Sequence, residues 1–292
     1  MRIIKYLLIG FLSFSLSANA QNKVAENTLL WEISGNGLAK PSYVFGTYHF
    51  ADKGFIDTMK VVNEKLAAAD AVVGELVMDK SLALKLIPFM MMKETTLDKL
   101  LTATEYKEVA DFLKKIAGYD IKMFNTMKPI AVQTLIVQYY APKTFTKDNP
   151  AIDEYFQTYG KANGKTVLGL ETAEDQAKVL FGSPIERQKE MLLKSIKNPE
   201  KDKKESLKIY NYYITQNLKQ LAKIFSKPQG FTPQEMDALL KNRNIKWVEK
   251  LPTLMQDKSL FIAIGAGHLV GKDGLIKGLQ AKGYTVKPVD TN

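Results

Sequence analysis

Four apolar runs in this chain each lead to a group that titrates: "YVFGTYH" ends on His49, "AVVGE" on Glu75, "TVLGLE" on Glu171, and "LFIAIGAG" is followed directly by His268. Short apolar runs of this kind, bounded by turn residues, are strand signals. Most of them are followed by helical spacing, and alternation of strand with helix predicts a parallel sheet covered by helices. In such open sheets the ligand crevice lies outside the carboxyl ends of the strands. The expected fold is therefore α/β, with a central, mostly parallel sheet flanked by helices and the four titratable groups gathered at one edge.

The two histidines sharpen this expectation. The chain has no others, and each stands three residues after a glycine, Gly46 and Gly265. With glycine at about 7% of average sequence, both would do so by chance roughly one time in two hundred. The rest of the chain reads as connecting structure. "TLLWEISGNGLAKPSYVFGTYH" is a hairpin around a Gly/Asn/Pro-rich turn, helical spacing covers 56–68 and most of 82–140, and Pro88, Gly118 and Pro129 suggest boundaries within the latter. Residues 88–127 read as an inserted or capping helical element. Pro150 opens a helix that Gly164 stops, "TAEDQAKVLFG" is a helix with an acidic first turn, and two long helices are expected over about 184–226. Thr232, Pro233 and Glu235 form a capping box with proline at the first helical position. "YTVKPV" supplies a last strand.

The first twenty residues have the form of a secretory signal: Arg2 and Lys5, an apolar stretch from Tyr6 to Leu16, then Ala18-Asn19-Ala20. Cleavage after Ala20 would leave 21–292 as one domain and place the protein in the periplasm or outside the cell. The apolar stretch is far short of the ~20 residues that span a bilayer, and no other window is long and apolar enough. With no cysteine in the chain, a lipoprotein anchor and a disulfide framework are excluded. The net charge is +10, and the leader's two basic residues leave +8. Much of this excess lies in "LKSIKNPEKDKKESLKIY", where lysine alternates with Glu and Asp as on a solvated helix. No nucleic-acid partner is expected.

Two histidines and two carboxylates suit Mn²⁺, Zn²⁺, Fe²⁺ or Co²⁺. A metal so held, with an open position, would activate a water and polarise a scissile carbonyl, with one carboxylate left as general base. Gly46, Gly265 and Gly267 would permit positive φ and bring main-chain N–H groups close to a substrate, as an oxyanion site. A lone histidine after a strand is commonly structural, and a strand-end glutamate commonly a helix cap. Four ionisable groups at one buried edge point instead to a site. The chain has no H-E-x-x-H, no G-x-S-x-G and no cysteine, which removes zincin chemistry and the usual nucleophile signatures.

These residues also carry a resemblance. "VFGTYH", "VVGEL", "AIDEYF" with Asp153, "VLGLET" with Glu171 and the downstream Gln176, "KNRNIKW" with Arg243 and Asn244, and "AIGAGHLVGKDGLIKGLQAKGYTV" occur in an order that resembles the TraB/GumN family, which includes pheromone-shutdown proteins and Tiki-type metalloproteases. It runs from about Trp31 to the C-terminus. The resemblance implies a fold similar to erythromycin-esterase-like and ChaN-like proteins, and a Mn²⁺- or Co²⁺-dependent peptidase. It would make His49, Glu75 and His268 metal ligands and Glu171 a ligand or base. Arg243 and Asn244 would orient Glu171 or bind a substrate carboxylate, and Tyr48 would donate a hydrogen bond beside the metal or pack against the sheet. Asp153 is as well explained as a helix-start residue. Three readings stay open: a metal-dependent hydrolase acting on a peptide or small-molecule substrate, a metal-independent ester or amide hydrolase using a histidine as base, and a regulatory protein that binds a peptide or glycan without turnover.

Overall fold

Six strands carry the apolar runs: β1 (Leu30–Ser34), β2 (Ser42–Thr47), β3 (Ala71–Gly74), β4 (Thr166–Gly169), β5 (Leu260–Gly265) and β6 (Thr285–Val289). They come from a computed structural model describing residues 28–142, 145–226 and 230–292; the expected secretory leader lies outside the described residues. The strands form one sheet in the order β4-β3-β5-β2-β1-β6. The four neighbours β4, β3, β5 and β2 run parallel, while β1 pairs antiparallel with β2 and with β6. The β1–β2 hairpin turns through Gly35, Asn36 and Gly37, all at positive φ, where glycine and asparagine meet the least steric cost. β2, β3 and the first five residues of β5 are buried throughout, as expected for parallel strands covered on both faces.

The helices that pack on this sheet do so through glycine. Helix Ile152–Ala162 lies against β3 and β4 at Gly160, where a Cβ would come within 2.9 Å of Val72 Cγ2. Its Phe156 meets Phe45 of β2 and Phe261 of β5, with ring centres 5.5 and 4.9 Å away. Helices Asn242–Met255 and Leu275–Ala281 interlock where Gly278 faces Val248.

A second core belongs to the helical layer. Leu97, Val109, Leu113, Ile121, Val132, Ile136 and Leu192 pack together away from the sheet. The residues expected as an insertion over 88–127 share this core with helices Pro129–Tyr140 and Ile185–Lys197, while helix Leu82–Met90 packs on Ala131, Ala177 and Phe181. Gly118 ends its helix in the left-handed conformation and Pro129 opens the next, as expected. Pro88 does not mark a boundary, because it sits inside helix Leu82–Met90. The carbonyl it cannot satisfy is that of Leu84, a residue 71% exposed, where water is available. The two long helices expected over 184–226 are three: Ile185–Lys197, Pro199–Ile214 and Leu218–Phe225. Pro199 starts the second, and Gln216 at positive φ with the Asn217 side-chain cap starts the third.

Candidate functional site

Because β4, β3, β5 and β2 are parallel neighbours, their carboxyl ends share one edge. Glu171, Glu75, His268 and His49 follow those ends in that spatial order. The chain continues the ladder past β3 and β4, since Leu170 and Glu171 donate their N–H groups to the carbonyls of Gly74 and Glu75. The two glutamates are thereby held side by side.

What joins them is Arg243, buried on helix Asn242–Met255. Its Nε donates to Glu171 Oε2 (3.0 Å) and its Nη2 to Glu171 Oε1 (2.5 Å) and Glu75 Oε2 (2.6 Å). Its Nη1 donates to the Leu239 carbonyl (3.1 Å) and to Nε2 of His268 (2.9 Å). Gln176 Nε2 bridges the same two carboxylates at 3.2 and 3.0 Å, and the Gly265 N–H donates to Glu75 Oε1 at 2.8 Å. One turn beyond Arg243, Trp247 carries the guanidinium 4.7 Å and the His268 ring 4.4 Å from its centre. The planar fork of arginine suits this arrangement, with two carboxylates in its plane and an aromatic face below.

The protonation of His268 follows from its partners. Asn244 Nδ2 donates to the carbonyls of His268 and Asp273, so its Oδ1 accepts from Nδ1–H of His268 at 2.7 Å. Arg243 donates to the other ring nitrogen, which fixes a neutral ring. Burial disfavours the charged form of His268, and Arg243 adds to this against the pull of Glu75, so that its pKa falls to about 3. Burial works to raise Glu75, but the Arg243 guanidinium, His49 and the Gly265 N–H hold it down at about 2.

His49 is set apart from this cluster. Its Nδ1 lies 2.9 Å from Asp153 Oδ2, the Thr47 hydroxyl donates to Asp153 Oδ1 at 2.7 Å, and its side chain is 69% exposed. The charge and hydrogen bond of Asp153 raise its pKa to about 9 against burial by surrounding protein. It lines an open cleft of about 290 Å³ with Asp153, Glu75 and Gln176. Glu75 connects the two parts of the site: it faces the cleft and accepts from the buried arginine. Arg243, Glu171 and His268 are not among the cleft's lining residues.

The donors do not gather as a metal centre. Among the described residues no group of three His, Cys, Asp or Glu is placed to hold a metal ion. Nε2 of His268 is 3.9 Å from Glu75 Oε1 and already accepts from Arg243, and His49 is committed to Asp153. A cationic guanidinium at hydrogen-bond distance from both glutamates takes the position and charge that a divalent ion would need. As arranged, the residues do not fit one.

The glycines act by close approach rather than by φ. Gly46, Gly265 and Gly267 are not at positive φ, contrary to expectation. A Cβ on Gly46 would come within 2.8 Å of Leu269 Cδ1 and 3.1 Å of the Ala266 Cα, so its absence lets the His268 turn rest on β2. The Gly46 N–H donates to Leu29 and the Gly265 N–H to Glu75, which commits both within the protein. Gly267 faces Phe225 and Leu240 in a separate cavity of about 360 Å³. Tyr48 packs its half-buried ring on Phe50 and Tyr213, and burial raises its hydroxyl to about 12. Asn244 is an orienting group for His268. Asp153, Thr47 and Trp247 complete the site without having been read as part of it.

The fold and the edge cluster define an α/β protein whose strand-end motifs meet at the carboxyl ends of the parallel strands of one sheet. The chain belongs to the TraB/PrgY/gumN family, whose model matches residues 29–288. Comparison with curated proteins gave no match, and comparison with solved structures gave none.

Proposed function

We propose that this chain is an exported hydrolase of ester or amide bonds, peptide bonds included, in which His49 handles the proton of an attacking water. The observation that carries this reading is the His49–Asp153 pair. With Nδ1 committed to Asp153, Nε2 is the nitrogen left for a ligand, in a cleft that also holds Glu75 and Gln176. A histidine oriented by a carboxylate is the arrangement that general-base catalysis requires. In its neutral form, which prevails above its pKa of about 9, His49 would take a proton from water as the water attacks the carbonyl and return it to the leaving group. Arg243 would hold Glu75 in place at the cleft and Glu171 beside it.

The test is a panel of esters, amides and peptides assayed with and without chelator. Turnover that survives chelation and falls about 10²–10⁴-fold in His49→Ala is expected. Turnover that disappears with the metal would contradict the reading.

One observation favours a second reading, a Mn²⁺- or Co²⁺-dependent peptidase. Glu75, Glu171 and Nε2 of His268 already converge on one cationic group, Arg243. A swing of that side chain would leave three donors facing one another. Under this reading the purified protein carries a divalent ion near one to one.

A further inference from the structure

The wall of the cleft opposite in character to its polar floor is built by the loop that follows β3. Leu76 and Met78 line the cleft from this loop and Leu82 from the first turn of helix Leu82–Met90, with Ala151 and Ala263 beside them. The loop is clamped. Gln157, buried on helix Ile152–Ala162, donates from Nε2 to the Leu76 carbonyl at 2.7 Å and accepts the Met78 N–H at Oε1 at 2.8 Å. Lys161, one turn further along the same helix, donates to the Met78 carbonyl at 2.7 Å. Both backbone groups of Met78 are therefore held from one helix. The clamp depends on Gly74, where a Cβ would lie 2.5 Å from Gln157 Nε2. The Met78 side chain itself is bound by none of this: the residue is 37% exposed. A large, adaptable apolar side chain on an immobilised backbone is a recognition surface.

Resting on the reading of His49 as the reacting side of the cleft, we infer that the site selects an acyl group with an apolar chain, the carbonyl at His49 and the chain against Met78 and Leu82. Met78 and Leu82 are then the specificity-determining residues.

The experiment pairs a binding series with a turnover series. Straight-chain alkanamides from acetamide to octanamide are titrated calorimetrically into the full chain, and kcat/KM is measured for the p-nitrophenyl esters of the same chain lengths. Affinity should rise about fourfold with each added CH₂ until the cleft is filled, and kcat/KM should follow. In Met78→Asn and Leu82→Asn the dependence on chain length should flatten, with thermal melts confirming that both variants fold; Met78 is exposed enough to accept the change. A flat series in the native protein, or an unchanged slope in both variants, would overturn the inference. Amide binding that rises with chain length while no ester is hydrolysed would uphold the acyl pocket and overturn the hydrolase reading, so the two fail separately.

Discussion

Arg243 carries the largest single consequence of any residue in the site. It holds two buried carboxylates together, and removal of one member of a buried ionic cluster leaves uncompensated charge. Arg243→Met should cost about 3–5 kcal/mol by denaturant unfolding, with Arg243→Lys intermediate because a single ammonium cannot make the fork; a loss below 1 kcal/mol would show that the cluster is not formed. Asp153 makes a different prediction. It raises His49 to about 9, so Asp153→Asn should bring that histidine back towards 6.5, and the rise of kcat/KM with pH, about tenfold per unit below the pKa, should level off correspondingly earlier. At this scale His49, Glu75, Glu171 and His268 were legible as site candidates because each ends or follows an apolar run, whereas Arg243 and Asn244 were named only through the resemblance that "KNRNIKW" helps to carry. Asp153 was not, since its place at the start of Ile152–Ala162 explains it equally well. Only the packing of that helix on β3 and β4 turns the carboxylate towards His49 and Thr47. Nor does spacing alone say that Arg243 would stand between the glutamates in place of an ion.

At the level of elements, the strands and their direction followed from the apolar runs, because parallel strands buried on both faces leave no choice of residue type. Helix ends were legible where Gly118, Pro129 or the Thr232–Glu235 capping box marks them. The helix divisions at Pro199 and Asn217 were obscured by continuous lysine-rich spacing, and Pro88 gave a false boundary. Glycine told less than its position suggested. The glycines before the histidines were read as sites of positive φ, whereas they are points of contact between elements. Gly46→Ala should accordingly push the Ala266–His268 turn off β2, at a cost of about 1–3 kcal/mol, with the His268 environment changed. A neutral outcome in both unfolding and the histidine signal would remove that contact from the account.

Over the whole molecule the site's titrations set a pH window for stability. His49 has a raised folded pKa, so its contribution is complete below 6.5 and is lost as pH rises through about 9. His268 is neutral in the fold with a pKa near 3, so its contribution is present above 6.5 and is lost as pH falls towards 3. Glu75, lowered from 4.5 to about 2, adds a further acid loss over that interval. These groups together place the maximum of melting temperature near pH 6.5, and His49→Gln should remove part of the alkaline decline. A curve that keeps rising to pH 9 would oppose this.

The two histidines differ in kind: below pH 9 His49 is a charged partner of Asp153 facing the cleft, and His268 is a neutral ring locked between Asn244 and Arg243. With only two histidines in the chain, a pH titration of the isotope-labelled imidazoles by NMR reads both directly. One ring should titrate near 9 and the other remain in the Nδ1–H neutral form down to its pKa of about 3, neither altered by added Mn²⁺. Two rings titrating together near 6.5, or a His268 signal lost when the metal is added, would contradict this difference.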